Sequence, residues 1–262
     1  MGALATWLAH PLTRGLSIDD PRTTALRRRI IDEKPFLKRL YMDWYRAIAS
    51  TVPEREPARG IDAALEIGSG AGFLGERGLV PGLITSDVFS APGVDRVIDA
   101  RALPFEDGSL RAIVMTDVLH HISAPRAFLT EAARCVRPGG VLSMIEPWVT
   151  RWSTLVYTRL HHEPFRPDAA EWEFPDAGPL SGANGALPWI MFVRDREKLE
   201  REFPEWKVEG VRPMMPLRYL VSGGVSMRTL MPGWSYPAWR AAEAVLSPVL
   251  GAMFAHVTVR RV

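Results

Sequence analysis

The sequence lacks several features that would place it among secreted, membrane-spanning or nucleic-acid-binding proteins. Its 262 residues include one cysteine, Cys135, so an internal disulfide cannot form, which favours a reducing compartment such as the cytoplasm. No apolar run is long enough to span a bilayer, and we expect no signal peptide because the N-terminus lacks a charged region followed by a long apolar stretch. The net charge is +2 with both signs mixed, and the lack of a basic stripe argues against a nucleic-acid partner.

The chain has enough apolar material for one α/β domain with additions, since 47% of its residues are hydrophobic. Residues 1–60 predict an N-terminal helical segment, in which apolar residues recur at helical spacing after Pro35; this helix either packs on the domain or forms part of a lid. Residues 61–150 alternate predicted strands and helices, which is typical of a parallel sheet. Residues 151–205 predict a helix and a proline-rich cap, and residues 206–262 predict the last two strands with a helical insertion between them.

The most informative segment is a glycine-rich turn that follows a short apolar strand. The stretch Leu65–Phe73 places an acid, Glu66, before glycines at alternate positions that begin with Gly68 and Gly70. Glycine lets the backbone turn sharply and lets a ligand approach the main chain. A strand, a glycine-rich turn and a helix build the nucleotide-type site of an α/β sheet, so we expect a helix directly after the turn. The third glycine of the dinucleotide fingerprint falls on Phe73, and the lysine of a phosphate-binding loop is absent.

Polar residues end the predicted strands that follow this turn. Asp87 ends the second strand, the pair Asp99-Ala100 follows the third, Asp117 follows the fourth, and Glu146 ends the fifth. In that order, these motifs resemble the class I S-adenosylmethionine-dependent methyltransferases, and most of all the small type 11 group, which includes quinone-biosynthesis methyltransferases. The resemblance is close over residues 61–148 and looser elsewhere. It implies an α/β, Rossmann-like fold with a seven-stranded, mostly parallel sheet, helices on both faces and an antiparallel last strand.

The resemblance also implies that S-adenosylmethionine is the cofactor and that eight residues contact it. The glycine loop and the acid before it would lie near the methionine part, although Glu66 could instead orient the loop. Asp87 would accept hydrogen bonds from the ribose hydroxyls, unless it only caps a helix. Asp99 would accept from the adenine amino group, and Thr116 would lie under the sulfonium. The implied cofactor-binding set is Glu66, Gly68, Ser69, Gly70, Asp87, Asp99, Ala100 and Thr116.

Methyl transfer is an in-line displacement, so the enzyme mainly aligns the nucleophile and excludes water. A base is needed only where the nucleophile carries a proton of high pKa. The candidates are His121 and His120, followed by Asp117 and Glu146. We expect oxygen as the nucleophile because histidine titrates near neutrality and suits the role of base. Adjacent residues on a helix diverge by about 100°, so at most one histidine should face the pocket. The alternative is a histidine packed against the edge of the sheet.

The segment His161-His162-Glu163 opens the predicted cap and offers three metal-ligating side chains. A metal cluster would need His120 or His121 as well. The spacing matches no known ligand pattern, so we predict no metal and expect a hydrogen-bond network in the cap.

The acceptor could be a small molecule, a sugar or a lipid-linked compound. From residue 211 onward the chain has six arginines and one acid, interspersed with methionine and aromatic residues. This segment is either an ordinary packed surface or a face that makes peripheral contact with a membrane. The rival functions are a nicotinamide-dependent oxidoreductase and a non-catalytic scaffold or membrane adaptor that binds the cofactor. The sequence makes no prediction of the oligomeric state.

Overall fold

A seven-stranded sheet forms the centre of the protein, which a computed structural model describes over residues 9–56, 62–161, 163–176, 178 and 180–262. The strand order is β3-β2-β1-β4-β5-β7-β6. The first five strands are parallel to one another, and β7 runs antiparallel to both β5 and β6. This topology confirms the predicted Rossmann-like sheet with an antiparallel last strand. The strands are β1 (Ala63–Ile67), β2 (Leu83–Asp87), β3 (Arg96–Val97), β4 (Leu110–Thr116), β5 (Val136–Pro147), β6 (Trp206–Met214) and β7 (Phe254–Arg261).

Helices pack around this sheet, and proline stands at one of the first two positions of most of them. Proline suits the first turn of a helix because its missing N–H would have no intrahelical partner there. The helices are α1 (Pro21–Glu33), α2 (Pro35–Ala49), α3 (Pro125–Cys135), α4 (Arg151–Leu160), α5 (Leu187–Trp189), α6 (Arg196–Glu202), α7 (Arg218–Ser222) and α8 (Tyr236–Leu250).

The prediction of a helix directly after the glycine loop is wrong. Within the described stretch 62–161, a single 3-10 turn, Gly75–Arg77, occupies the connection between β1 and β2. The sequence that follows contains Gly78, Pro81 and Gly82, and both glycines adopt left-handed φ angles of 61° and 67°. Because glycine and proline oppose helix propagation, the connection stays short and irregular. A ligand at this loop therefore meets backbone amides without a helix dipole behind them.

The N-terminal helices and the C-terminal insertion pack against each other over the sheet. The Trp44 ring of α2 stacks on Tyr219 at 5.8 Å and packs against Phe254 of β7 at 4.9 Å, measured between ring centroids. Its indole N–H donates to the Met215 sulfur at 3.1 Å. The α2 helix therefore does pack on the domain, as one of the two sequence interpretations held. The predicted N-terminal segment, residues 1–60, includes residues 1–8 and 57–60, which lie outside the described residues.

Some of the C-terminal arginines form ion pairs within the protein. Arg218 is buried and forms ion pairs with Glu243 and with Asp43, the latter at 3.2 Å. Arg260 pairs with Glu209 on the neighbouring strand at 2.5 Å. Among the described residues, no helix is both long and apolar enough to cross a membrane.

We expect Trp44→Ala to lower the free energy of unfolding by about 3–5 kcal/mol, because it removes a buried ring that joins α2 to the insertion. Chemical denaturation measures the change. Arg46 lies on the same helix, and its side chain is 65% exposed. Arg46→Ala is therefore the control, and we expect it to change the free energy of unfolding by no more than about 0.5 kcal/mol. Equal effects of the two substitutions would contradict the packing role of Trp44.

Candidate active site

A cavity of about 490 Å³ opens at the carboxyl ends of the central parallel strands. This is where open α/β sheets bind ligands. Seven of the eight predicted cofactor residues line it, together with two of the three predicted catalytic residues. The lining residues among those predictions are Glu66, Gly68, Gly70, Asp87, Asp99, Ala100, Thr116, Asp117 and His121.

The glycine loop brings its backbone against the end of β2. The Gly70 N–H donates to Asp87 Oδ2 at 2.9 Å, and the Phe89 N–H donates to Asp87 Oδ1 at 3.1 Å. A Cβ on Gly70 would lie 2.7 Å from the Asp87 carboxylate, so the loop can approach this closely only with glycine. Burial raises the pKa of Asp87, while its hydrogen bonds from backbone amides act to lower it. Asp87 lines the cavity, and each of its oxygens has further lone-pair capacity to accept from a ligand hydroxyl.

Ser69 is the predicted cofactor residue that the structure places outside the cavity wall. Its hydroxyl accepts from the Ser86 N–H at 3.1 Å, and its own N–H donates to the Ser86 carbonyl at 2.8 Å. Ser69 therefore fastens the loop to β2, and it positions the residues that do line the cavity.

Glu66 is a buried carboxyl group at the floor of the cavity. Burial, reinforced by the nearby charge of Asp87, raises the pKa of Glu66 to about 7, although the Ser69 hydroxyl opposes the shift. The group is therefore poised to ionise near neutral pH, and a cationic ligand group beside it would favour the ionised form.

Asp99 has a partner that the sequence did not predict. The Arg101 guanidinium donates to both oxygens of Asp99, at 3.0 Å and 2.8 Å for the shorter contacts, and reaches Asp176 of the cap at 2.8 Å. The hydrogen bond from Arg101 lowers the pKa of Asp99. Cap and sheet are thus joined through one guanidinium at the cavity edge.

The end of β4 carries a strained acid. Asp117 adopts a φ of 63°, in the left-handed region that non-glycine residues rarely enter, and such strain clusters at functional sites. Burial raises the pKa of Asp117 to about 7. Next to it, Thr116 Oγ1 is buried without a hydrogen-bond partner among the described residues. An orphaned hydroxyl on a cavity wall is the feature expected where a ligand supplies the missing partner.

The two histidines lie on a 3-10 turn, Leu119–His121, rather than on an α-helix. His120 is buried, and its Nδ1 lies 2.8 Å from Glu146 Oε2. The other carboxylate oxygen of Glu146 accepts from the N–H groups of Val118 and Leu119, at 3.0 Å and 2.7 Å. His121 faces the cavity, so one histidine lines it while the other packs behind.

Glu163 of the cap lies opposite both histidines. His120 Nε2 is 3.6 Å from Glu163 Oε2, and His121 Nε2 is 4.0 Å from Glu163 Oε1. Burial and the neighbouring His120 lower the pKa of His121 to about 3. Burial acts to lower the pKa of His120, but the hydrogen-bonded Glu146 carboxylate and the nearby Glu163 carboxylate outweigh burial and hold that pKa well above its usual value. The pKa of Glu163 is lowered, because the histidines outweigh its burial. His162 lies outside the described residues.

Sequence reasoning missed the walls that come from helices. Thr24 and Arg27 of α1, Tyr41 and Tyr45 of α2, and Tyr219 of α7 all line the cavity. Tyr41 and Tyr45 are spaced four residues apart on the apolar face of α2, and two phenol groups there were an available signal, since a buried tyrosine needs a polar partner. The α2 helix is therefore both a packing helix and part of the cavity.

The chain matches the model of one protein family. A methyltransferase domain model matches residues 86–144, which run from the end of β2 into β5 and include Asp87, Asp99, Asp117 and both histidines.

Two curated proteins are similar to part of the chain. A demethylmenaquinone methyltransferase of Beutenbergia cavernae is 31% identical over 117 residues, which are 40% of this chain and 49% of that protein. An uncharacterised 37.1 kDa protein in transposon TN4556 of Streptomyces fradiae is 32% identical over 135 residues, which are 44% of this chain and 39% of that protein. The chain therefore matches less than half of the length of each relative.

Two solved structures share the fold over nearly the whole chain. The putative methyltransferase in complex with the Trm112 activator of Haloferax volcanii is 14% identical, covers 94% of this chain and 97% of its own, and superposes with a TM-score of 0.53. A geranyl diphosphate C-methyltransferase of Streptomyces coelicolor A3(2) is 13% identical, covers 98% of this chain and 87% of its own, and gives 0.51. At such low identity these likenesses establish the fold.

We expect Glu66→Gln to stabilise the unliganded protein at alkaline pH. A raised carboxyl pKa contributes stability that is complete below the unfolded value and is lost as pH rises through about 7, whereas glutamine keeps the neutral form at every pH. The variant should match the wild type near pH 4, below the ordinary glutamate pKa, and exceed it by roughly 3 kcal/mol above pH 8. Denaturation at the two pH values measures this, with the exposed Glu106→Gln as control. A Glu66→Gln variant with the same free energy of unfolding as the wild type at both pH values would contradict the raised pKa of Glu66.

Proposed function

Because the core of this chain belongs to the class I S-adenosylmethionine-dependent methyltransferases of the type 11 group, we propose that the protein transfers a methyl group from S-adenosylmethionine to an oxygen of a small-molecule, sugar or lipid-linked acceptor. The observation that carries this proposal is the meeting of the glycine loop with the Asp87 carboxylate at the wall of a cavity large enough for the cofactor. The relatives' own substrates are not carried over to this chain.

The proposed cofactor lies along the carboxyl edge of β1, β2, β3 and β4. Its methionine part meets Glu66 and the loop from Gly68 to Gly70, which Ser69 holds in place. Asp87 accepts from the ribose hydroxyls through its free lone pairs. The adenine meets Ala100 and Asp99, and the Arg101 bridge between Asp99 and Asp176 favours retention of the ring under the cap. Thr116 supplies its orphaned hydroxyl near the sulfonium end.

We assign the proton transfer to Asp117, one of the three candidate residues in the turn after β4. In the displacement, the acceptor oxygen forms a bond to the methyl carbon, the carbon–sulfur bond breaks toward sulfur, and the acceptor proton passes to a base. Asp117 is the base that fits best, because its pKa of about 7 matches neutral pH and it lines the cavity. His121 lies beside it and can orient the acceptor, while His120 holds the turn through Glu146.

The acceptor class depends on segments outside the core. The cap contributes Glu163 to the cavity, and the insertion contributes Tyr219. The insertion also exposes apolar side chains, with Trp234, Val245 and Val249 exposed by 81%, 75% and 85%. Exposed apolar groups on one segment favour contact with an apolar surface, so we propose a lipid-linked acceptor reached by peripheral membrane contact.

Binding of S-adenosylhomocysteine tests the cofactor assignment. We expect the wild type to bind it and to bind NADH at least about 100-fold more weakly, because the site has no diphosphate-binding helix N-terminus. Asp87→Ala should weaken binding of S-adenosylhomocysteine by about 10- to 100-fold through the loss of charge-assisted hydrogen bonds. Calorimetry gives the affinities. Asp107→Ala, whose side chain is 81% exposed, is the matched control, and tighter binding of NADH would favour an oxidoreductase.

Transfer of label from methyl-labelled S-adenosylmethionine to a cell extract tests the base and the acceptor. A base acts only when it is deprotonated, so we expect the rate to fall as pH falls below about 7. Asp117→Asn should abolish this limb and lower the rate by about 10²- to 10⁴-fold with unchanged affinity for S-adenosylhomocysteine. Asparagine tolerates the left-handed φ, so the backbone is preserved.

The comparison variant for the base is His121→Gln. If His121→Gln loses the fall in rate at acidic pH and Asp117→Asn retains it, the base is His121 rather than Asp117.

Label recovered in the organic phase supports a lipid-linked acceptor, and label in the aqueous phase supports a soluble one. Binding of S-adenosylhomocysteine with no label in either phase would favour the scaffold alternative.

A further inference from the structure

Three metal-ligating side chains converge on the cap side of the cavity. One ring nitrogen of His120, one ring nitrogen of His121 and one carboxylate oxygen of Glu163 all lie within 4.8 Å of one another. The group is well buried, since these side chains are 1%, 12% and 16% exposed. Binding of the cofactor as proposed above uses none of the three.

The hydrogen bonds behind the histidines determine which ring nitrogens face Glu163. His120 Nδ1 lies 2.8 Å from a Glu146 carboxylate oxygen, and His121 Nδ1 lies 3.3 Å from the Gly182 carbonyl oxygen. A carboxylate and a carbonyl oxygen can only accept, so both Nδ1 atoms carry the proton and donate it. The Nε2 atoms of both rings then face Glu163. Histidines that ligate metals are oriented in this way, with the other ring N–H donated to a carboxylate or a backbone carbonyl.

The separations also suit a metal ion. His120 Nε2 and His121 Nε2 lie 3.6 Å and 4.0 Å from the Glu163 oxygens, which is longer than a hydrogen bond. Two ligands on a tetrahedral zinc ion lie about 3.3 Å apart, given bonds of about 2.0–2.1 Å. Small side-chain shifts therefore bring the three atoms onto one ion. His121 and Glu163 line the cavity, so a further coordination position would open toward it.

We propose that His120, His121 and Glu163 bind one divalent transition-metal ion of the zinc type, with Glu146 and the Gly182 carbonyl orienting the two rings. Two histidines, one carboxylate and an open position form the ligand set of catalytic zinc sites. The ligands come from two distant segments, which explains why spacing within either segment predicted no metal.

The proposed ion would lie near Asp117, whose Oδ1 is 4.0 Å from His120 Nε2. An acceptor hydroxyl bound there would have its pKa lowered by the ion and would pass its proton to Asp117. This role in catalysis rests on the proposed methyl transfer, whereas the metal site itself does not.

Direct binding of Zn²⁺ and Co²⁺ to the chelator-treated protein tests the site. We expect one ion per chain by calorimetry and elemental analysis, with visible absorption of bound Co²⁺ typical of a site with few ligands. His121→Ala and Glu163→Gln each remove a ligand and should weaken Zn²⁺ binding by at least about 100-fold. Glu146→Gln should weaken it by about 10- to 100-fold, because Glu146 only orients His120.

The matched control is His10→Gln, a histidine outside the cluster, which should bind Zn²⁺ like the wild type. Circular dichroism checks that each variant is folded. A folded wild type that binds neither ion, or equal affinity of the wild type and both ligand variants, would overturn the proposal. Because binding is measured without an acceptor, the two hypotheses fail separately: Zn²⁺ binding without methyl transfer would refute only the proposed function, and methyl transfer without metal binding would refute only the site.

Discussion

The buried carboxylate of Glu146 organises the end of the sheet on which the candidate site depends. It is inaccessible to solvent, yet it accepts from two backbone N–H groups of the turn after β4 and from His120. A buried charge is tolerated only when its lone pairs are satisfied in this way. The turn cannot relax without breaking these bonds, so Asp117 is held in a left-handed conformation with its carboxyl group in the cavity.

The same cavity tunes its carboxyl groups by burial. Glu66 and Asp117 stand on neighbouring strands at the sheet edge, and burial raises the pKa of each to about 7. Glu163 on the cap side behaves in the opposite way, because adjacent histidines lower its pKa. On the sheet side, the cavity therefore has carboxyl groups that a bound cation would ionise. On the cap side, it has a cluster of groups that are already charged. Such a division suits a cationic methyl donor on one wall and a polar acceptor on the other.

Local sequence patterns predicted the sheet and its edge well. Apolar strands that end in Glu66, Asp87 and Thr116 were recognisable because each strand carries its own ligand-facing residue, and parallel strands bring these residues to one edge. The helix after the glycine loop was predicted wrongly, because a general motif outweighed the breakers Gly78 and Pro81. The roles of Arg101 and the α1 residues could not be predicted, since they arise from contacts between segments far apart in the chain. Glu163 was recognisable as a potential ligand, but its approach to both histidines depends on how the cap folds over the sheet edge.

The cofactor side and the acceptor side of the cavity are built differently, and this bears on which substrate the protein acts upon. The sheet edge supplies contacts that suit the cofactor, whereas the acceptor side is assembled from the cap and the insertion. Fold likeness at 13–14% identity extends to those regions only as backbone shape, and backbone shape does not transmit substrate. Glu163 is the residue where the two halves meet, because it joins the cap to both histidines of the sheet-edge turn. Whether the Glu163 carboxylate faces a protonated His120 or a bound metal ion therefore decides which acceptor chemistry the cavity can support.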